Sequence, residues 1–238
     1  MSDDLHELRI MPVESWASRS AELLANAVEA VLARQERCLL ALSGGSTPGP
    51  VFEELASCDL PWQRVVLLQA DERLSPDLGA RNLTQHHEAF AGLGVTWLSF
   101  PVDRLLADGE LAPPGRVAEV LGDFTACLVE FADEPPVIDI AQLGLGTDGH
   151  TASLFPGDPA VEELRRYVAV TEPHGGWRRL TMTRPVFDRA RIVIWLARGA
   201  AKAAPLGRLL AGDLSIPAGM LRPRQSVIVA DTDAARQF

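Results

Sequence analysis

Short, continuously apolar runs are the feature that most limits how this chain can fold. Each run is too short for a buried helix and lacks the alternation of a half-exposed strand, so we predict strands covered on both faces. The segments between them carry apolar residues at helical spacing, for example 15–32 and 116–131. The strand-like runs are 38–42, 65–70, 137–143, 191–197 and 226–230.

Strands that alternate with helices predict an α/β protein. We expect a mainly parallel, doubly wound (Rossmann-like) sheet with helices on both faces. Weaker strand patterns lie at 8–13, 95–100 and 167–171, and 179–183 is a candidate edge strand. Neither an internal repeat nor a low-complexity linker interrupts the pattern, so a single domain over residues 1–238 is expected. Ligands of such sheets bind at the loops that follow the strands.

The charge balance limits the partners. The net charge of −10 at pH 7 argues against nucleic acid and anionic membranes, because both select basic faces. An anionic small molecule would therefore need a local cluster of Arg and Lys. Cys38, Cys58 and Cys127 have no spacing typical of a zinc site or a disulfide framework. We predict neither a metal nor a cofactor.

The hydropathy pattern predicts the compartment. The N-terminus is acidic and has no apolar core of a signal peptide. No apolar run approaches the roughly eighteen residues of a membrane span. We therefore expect a cytoplasmic protein without membrane contact, either a monomer or a weak homo-oligomer.

The segment 144–156 carries the most specific chemistry. It follows the strand-like run 137–143 and places Asp148 and His150 two residues apart. Residues i and i+2 of an extended segment point the same way, so the carboxylate and the imidazole are expected to meet. An imidazole beside a carboxylate at the end of a buried strand is a candidate general base.

The same segment also contains a pattern typical of dinucleotide-binding proteins. Gly144, Gly146 and Gly149 spell G-x-G-x-x-G after a strand. That motif needs a helix opening at its third glycine, so that the helix N-terminus meets the pyrophosphate. Pro156 and Pro159 interrupt the next segment before a helix could make three turns. The sequence therefore disfavours a nucleotide site here.

A second glycine-containing loop, 43–48, lies between a strand and a helix. Thr47 is the predicted N-cap and Pro48 the predicted first helical residue. Converging backbone N–H groups and the helix dipole would bind a phosphate, and without a G-K-[ST] ending a monophosphate fits better than a nucleotide. The alternative is an ordinary Gly-Ser turn with helix capping. The residues of the predicted phosphate loop are Ser43, Gly44, Gly45, Ser46 and Thr47.

Charged residues after the third strand are further candidates. Asp71, Glu72 and Arg73 lie where open α/β sheets bind ligands, and Arg73 could bind phosphate oxygens through two N–H groups. The alternative is a solvated charged turn. Arg179 and Lys202 are weaker cationic candidates, because most Arg and Lys are surface residues.

The remaining histidines and serines suggest little. His86 and His87 lie in a polar helix and are interpreted as surface residues, and His6 and His174 have no evident partner. No G-x-S-x-G elbow of a serine esterase occurs.

Together these motifs resemble the 6-phosphogluconolactonases. The resemblance covers roughly residues 10–230, and the run Asp-Gly-His-Thr-Ala-Ser-Leu-Phe-Pro at 148–156 is its most specific part. It implies the α/β fold shared with sugar-phosphate isomerases and deaminases. It also implies metal-independent hydrolysis of a phosphorylated sugar lactone in the pentose phosphate pathway. The motifs that carry it are 43–48, 71–73 with Asn82, 144–156, Arg179-x-Thr181 and Gly199-x-x-Lys202.

Two alternatives stay open beside the lactonase. Glucosamine-6-phosphate deaminases are similar through Gly-x-Gly-x-Asp-Gly-His, but they carry a glutamate before the proline, where this chain has Phe155. Asp71 matches the base position of the deaminases, whereas Arg73, two residues later, favours the lactonase. The other alternative is a non-catalytic sugar-phosphate sensor, against which the intact Asp148 and His150 argue.

The expected reaction uses two parts of the site. The 6-phosphate would bind to the phosphate loop and to nearby cations, namely Arg73, Arg179 and Lys202. Neutral His150 would take a proton from the water that attacks C1 of the lactone, while Asp148 fixes the tautomer of the imidazole or stabilises its charge. Backbone N–H groups of the glycine loop would hold the developing oxyanion.

Overall fold

The computed structural model describes residues 5–107 and 109–238. Its helices are α1 (Trp16–Leu32), α2 (Gly49–Ala56), α3 (Asn82–Phe90), α4 (Val102–Leu105), α5 (Pro114–Ala132), α6 (Arg184–Arg189), α7 (Ala203–Leu210) and α8 (Pro217–Met220). Its strands are β1 (Glu7–Met11), β2 (Cys38–Leu42), β3 (Val65–Gln69), β4 (Asp71–Arg73), β5 (Thr96–Leu98), β6 (Leu106–Ala107), β7 (Glu110–Leu111), β8 (Ile140–Gly144), β9 (Val168–Val170), β10 (Arg179–Met182), β11 (Ile192–Ala197) and β12 (Ser226–Asp231).

A 7-stranded sheet organises the described chain, in the order β1-β12-β11-β8-β2-β3-β5. Every neighbouring pair in it is parallel. From β2 the chain winds outward through β3 and β5, and from β8 it winds the other way through β11 and β12. The strand order therefore reverses between β2 and β8, and the crevice at their carboxyl ends is where open α/β sheets bind ligands.

Helices cover both faces of this sheet. Leu39 and Ala41 of β2 belong to a core shared with α5, α6 and α7, whereas Leu40 and Leu42 belong to a core shared with α1, α2 and α3. Successive side chains of a strand point to opposite faces, so an unbroken apolar run serves both cores at once. The predicted α/β class, with a doubly wound parallel sheet, is confirmed. The single domain over 1–238 stays a prediction.

The structure also contains a second, antiparallel sheet that the sequence patterns do not predict. It contains three strands in the order β4-β10-β9. The prediction of an edge strand at 179–183 is wrong, because β10 pairs with β4 on one side and with β9 on the other. For 71–73 the alternative of a solvated turn is wrong, since these residues form β4. This small sheet fixes Arg179 opposite Arg73.

The helix starts differ in detail from the prediction. Pro48 already has helical backbone angles, and its carbonyl accepts the first helical bond from the N–H of Phe52 at 2.9 Å. The cap of α2 therefore falls on Pro48, so Thr47 is not the N-cap and Pro48 is not the first helical residue. Ser15 does precede α1, but its side chain makes no capping hydrogen bond.

In the part of the chain that the structure describes, no helix combines the length and apolar character needed to cross a membrane.

Candidate active site

The loop after β8 joins a carboxylate to an imidazole. Oδ1 of Asp148 accepts hydrogen bonds from the backbone N–H of His150 at 3.1 Å and from its ring Nδ1 at 2.6 Å. A side chain at position 146 would lie 2.1 Å from His150 Nδ1, so only glycine lets the imidazole pack on the loop backbone. The N–H of Gly146 donates to the carbonyl of His150 at 2.8 Å. The loop thus sets the position of the imidazole locally.

The Asp148 contact defines which nitrogen of His150 can act. Because a carboxylate only accepts hydrogen bonds, Nδ1 carries the proton in the neutral ring and Nε2 keeps its lone pair. Partial burial acts to raise the pKa of Asp148, but hydrogen bonds from His150 and the attraction of its ring outweigh burial and lower that pKa. Asp148 is therefore ionised at neutral pH and able to stabilise an imidazolium.

A cavity of about 270 Å³ lies at the reversal of strand order. Its wall combines the loops after β2 and β8 with β4 and β10. Asp148 does not line it but bonds to His150, which does. The predicted site residues on its wall are Ser43, Gly44, Gly45, Ser46, Thr47, Asp71, Arg73, Asn82, Gly146, His150, Arg179 and Lys202.

The phosphate loop is held by two glutamines. The N–H of Ser43 donates to the backbone carbonyl and to Oε1 of Gln142, both at 3.2 Å. The N–H of Gly45 donates to Oε1 of Gln85 at 2.9 Å, and Nε2 of Gln85 donates back to the carbonyl of Gly45 at 2.8 Å. These two amides are occupied, so the N–H groups left for an anion are those of Gly44, Ser46 and Thr47.

Asn82 joins the phosphate loop to β4. A side chain at position 44 would lie 2.3 Å from Asn82 Oδ1, so glycine is required where the loop passes this residue. Nδ2 of Asn82 donates to the backbone carbonyl of Asp71 at 2.9 Å. The contact sets the spacing between the phosphate loop and the carboxylate of Asp71.

Glu72 and Asp71 have different surroundings although they are adjacent. The carboxylate of Glu72 is fully buried and accepts the backbone N–H groups of Arg73, Asn82 and Leu83. Two of these belong to the first residues of α3, whose N–H groups have no partner within the helix. Burial raises the pKa of Glu72, against the effect of these hydrogen bonds. Glu72 thus braces the cavity wall, and a solvated turn is excluded.

Asp71 faces the cavity. Its Oδ2 accepts a hydrogen bond from Ser153 Oγ at 2.6 Å, and the residue is 4% exposed. Burial raises its pKa, while Ser153, Arg179 and Arg73 act in the opposite direction. The arrangement presents a desolvated carboxyl group to a ligand.

Three cations share the same cavity although the chain carries a net charge of −10. Arg73 donates from Nη1 to the carbonyl of Ala80 at 2.8 Å, which orients its guanidinium. Burial, and then the proximity of Arg73, lower the pKa of Arg179. Burial also lowers the pKa of Lys202, whereas Asp148 acts to raise it. An anionic ligand would relieve the repulsion among these groups.

Two residues that shape the site left no signal in the sequence: Gln85 and Gln142, which hold the phosphate loop across the fold. Phe155 is marked in the sequence only as the residue in place of a glutamate, and the structure adds its contact with His150, with ring centroids 4.7 Å apart. The interpretation of His86 as a surface residue is wrong, because it is 1% exposed and packs edge-on against Phe52. Burial lowers the pKa of His86 to about 4. The local indication of this burial is the spacing, because His86 lies four residues before the buried Phe90 and therefore on the same face of α3.

Among residues 5–107 and 109–238, no group of three or more His, Cys, Asp or Glu side chains could hold a metal ion.

Comparison with known proteins places the chain among sugar-phosphate enzymes. Residues 13–230 match the family model described as "Glucosamine-6-phosphate isomerases/6-phosphogluconolactonase". A human 6-phosphogluconolactonase is 34% identical over 229 residues, which cover 87% of this chain and 85% of that protein. A 6-phosphogluconolactonase from Nostoc is 30% identical over 217 residues, covering 89% and 88%.

Solved structures agree. A crystal structure of 6-phosphogluconolactonase from Leishmania guyanensis matches with a TM-score of 0.81 and 26% identity, covering 96% of this chain and 97% of that one. The enzyme from Thermotoga maritima matches with a TM-score of 0.82 over 95% and 99% of the two chains. At 24% identity, the second match shows the shared fold alone.

Proposed function

The chain belongs to the 6-phosphogluconolactonase family, within the group of glucosamine-6-phosphate isomerases and 6-phosphogluconolactonases, and from this premise we propose how its residues hydrolyse a lactone. Its activity is that of a 6-phosphogluconolactonase, a hydrolase of the pentose phosphate pathway. The family implies 6-phosphogluconolactone as the substrate. The roles of individual residues are the proposal.

His150 acts as the general base. The observation that carries this role is the 2.6 Å contact between Nδ1 and Asp148, on a ring that lines the cavity. The contact leaves the lone pair of Nε2 for a water molecule. As the water attacks C1, Nε2 takes its proton, and Asp148 stabilises the imidazolium that forms. When the C1–O5 bond breaks, the same proton passes to the ring oxygen, so the imidazole ends neutral.

The phosphate binds to the phosphate loop and its neighbouring arginines, on the same cavity wall as His150. The N–H groups of Gly44, Ser46 and Thr47 provide uncharged donors, and Arg73 and Arg179 provide charge-assisted ones. Binding there anchors the sugar so that C1 lies close to His150. The water, the imidazole and C1 are then already positioned for the attack, which lowers its entropic cost.

The oxyanion needs a donor other than the expected glycines. The N–H of Gly146 is bonded to the carbonyl of His150, and that of Gly149 to the carbonyl of Gly146. Thr147 and Lys202 also line the cavity. We assign the developing negative charge on the C1 oxygen to the N–H of Thr147 and to the ammonium of Lys202.

The proposed function is tested by measuring which reaction the purified protein catalyses. Purified protein is expected to accelerate the opening of 6-phosphoglucono-δ-lactone above its spontaneous rate and to release no ammonia from glucosamine 6-phosphate. Phe155, which cannot relay a proton, is the reason for the second expectation. Ammonia release without lactonase activity would point to the deaminase instead, and binding without turnover would point to a sensor.

The cytoplasmic location and the monomeric or weakly homo-oligomeric state stay predictions. Sedimentation of the purified protein at several concentrations tests the second.

A further inference from the structure

Phe155 is the common neighbour of three polar groups around the cavity. Its ring centroid lies 4.7 Å from that of His150 at an interplanar angle of 46°, and 3.7 Å from that of His174 at 17°. The guanidinium carbon of Arg179 lies 5.1 Å from the same ring centroid. Phe155 is 4% exposed and is not part of the cavity wall. It can therefore act on a substrate only through its neighbours.

We propose that Phe155 is a positioning residue that holds the imidazole of His150 and the guanidinium of Arg179 at a fixed separation, and that His174, stacked on the Phe155 ring, braces it. We call His150, Phe155 and His174 the ring column. This inference rests on the proposed function, since it assigns His150 to the base and Arg179 to the phosphate.

The imidazole needs this support. Its hydrogen bond to Asp148 fixes one atom, and about half of the Asp148 side chain is exposed, where a single contact contributes little. Gly146 supports another part of the ring. A ring held at one nitrogen can still tilt, and a tilt would turn Nε2 away from the attacking water. The contact with Phe155 opposes that tilt, because aromatic pairs have preferred geometries.

Arg179 needs the contact with Phe155 for a different reason. Its Nε is buried and has no hydrogen-bond partner among the described residues, and the neighbouring Arg73 repels it. A guanidinium over an aromatic face gains attraction without using its N–H donors. Phe155 therefore holds Arg179 while leaving its donors to a phosphate. Because one ring contacts both groups, it fixes how far the phosphate lies from the reacting carbon.

A hydrogen-bonded hairpin carries His174. The residue sits in the turn between β9 and β10, where its N–H donates to the carbonyl of Trp177 at 2.8 Å and the N–H of Trp177 donates back at 3.3 Å. An ion pair of 3.0 Å between Arg178 and Glu172 joins the two arms of this hairpin. The side chain of His174 thus reaches Phe155 from a braced backbone, and the hairpin becomes a functional part of the site.

The kinetic test compares two buried phenylalanines. Phe155→Leu is expected to lower kcat about two- to tenfold, as aromatic pair energies imply, and to raise KM about two- to fivefold through Arg179. The matched control is Phe124→Leu, because Phe124 is 6% exposed and pairs with Phe100, away from the cavity. Phe124→Leu is expected to change the melting temperature but neither kcat nor KM, when assays run well below both melting temperatures.

A second test does not depend on catalysis. The ring-nitrogen chemical shifts of His150, measured by NMR on ¹⁵N-histidine-labelled protein, report which nitrogen is protonated. The wild type and Phe124→Leu are expected to show the Nδ1–H tautomer, and Phe155→Leu a mixture of both tautomers. His174→Leu should shift the same signals in the same direction, while His174→Phe, which keeps the stacked ring, should restore them.

These readouts separate the possible failures. Folded Phe155→Leu with wild-type kinetics, or with unchanged His150 shifts, overturns the proposal. If Phe155→Leu does not fold, His174→Leu and His174→Phe take its place. His150 chemical shifts that stay unchanged in both variants would overturn the proposed role of the ring column. A wild-type protein that opens no lactone would contradict the proposed function, and the nitrogen shifts would still decide the ring column.

Discussion

The loop after β8 and the loop after β2 meet at one cavity but hold their shapes in different ways. In the first, Asp148 and His150 bind each other across two positions. In the second, Gly45 is held by Gln85, 40 positions away, and Ser43 by Gln142, 99 positions away. The reactive pair is thus encoded locally in one loop, although Ala218 N–H also bonds to the carbonyl of Gly149 there, whereas the anion-binding backbone of the other loop depends on distant residues. The two loops should respond differently to substitution.

The largest effect is expected in the loop after β8. His150→Asn keeps a similar size but cannot accept a proton at neutral pH, and loss of a general base typically costs about 10²–10⁴ in rate. The loss should appear in kcat with KM little changed, because the phosphate loop is untouched. Initial rates, corrected for spontaneous lactone opening at each pH, measure it.

The neighbouring carboxylate gives the control. Asp148→Asn should also lower kcat, and the double variant should cost little beyond His150→Asn alone, since the two residues act as a unit. Near wild-type kcat in folded His150→Asn would move the base elsewhere, with Asp71 as the next candidate on the cavity wall.

The next largest effect is expected on KM, when a residue that binds the phosphate is replaced. Arg73→Ala should raise KM for the phosphorylated lactone about ten- to a hundredfold, because charge-assisted hydrogen bonds contribute about 1.5–3 kcal/mol. Unphosphorylated gluconolactone has no phosphate to lose, so its KM should change much less. Arg116→Ala, which removes an exposed Arg from a surface pair with Glu119, is the control. Equal effects on both lactones would place Arg73 away from the phosphate.

A smaller effect tests the remote support directly. Gln85→Leu removes both hydrogen bonds to Gly45 without touching the cavity wall. Net hydrogen-bond contributions of about 0.5–1.5 kcal/mol predict a KM two to about ten times higher at unchanged kcat. Gln35→Leu makes a matched control, because Gln35 braces Asp139 outside this cavity. If KM stays constant in Gln85→Leu, the loop holds its shape by itself and the contrast between the loops disappears.

The smallest effect on activity is expected at His86, on the helix that carries Gln85. Burial lowers the pKa of His86 from 6.5 to about 4. Between these values the unfolded chain binds a proton that the folded chain does not, so stability falls as pH drops from 6.5 to 4. His86→Leu should flatten this slope by up to about 1.4 kcal/mol per pH unit.

Urea unfolding at several pH values measures the slope. His87→Gln is the control, since His87 is exposed on the same helix. At pH 8, kcat of His86→Leu should match the wild type. An unchanged slope would mean that His86 is protonated in the folded protein.

How far the sequence predicts this molecule depends on the same contrast. The apolar runs identify the parallel strands, because a strand buried on both faces has apolar residues at successive positions. The second sheet was missed because β4 has only 3 residues, all charged, and owes its strand form to pairing with β10. Strand order also lies beyond any local pattern.

The residues of the site likewise divide into those that the sequence identifies and those that it does not. Motif residues such as Asp148 and His150 were found because their spacing carries their chemistry. Gln85 and His174 were not, because each matters only through a partner brought close by folding, and Phe155 was marked only as the residue in place of a glutamate. His86 and His87 are adjacent in a polar helix, and only the tertiary structure distinguishes the buried one from the exposed one.

The pairing of β1 with β12 has a consequence for how the chain is made. His6, just before β1, bonds to Ser226, the first residue of β12, 220 positions later. At roughly 5–20 residues per second, β1 leaves the ribosome about 10–40 s before its neighbour in the large sheet exists. The loops after β2 and β8 follow strands made earlier, so these two loops can form while β1 is still unpaired. A chain that stopped before β12 would keep the reactive pair yet expose the edge of β11 to other nascent chains.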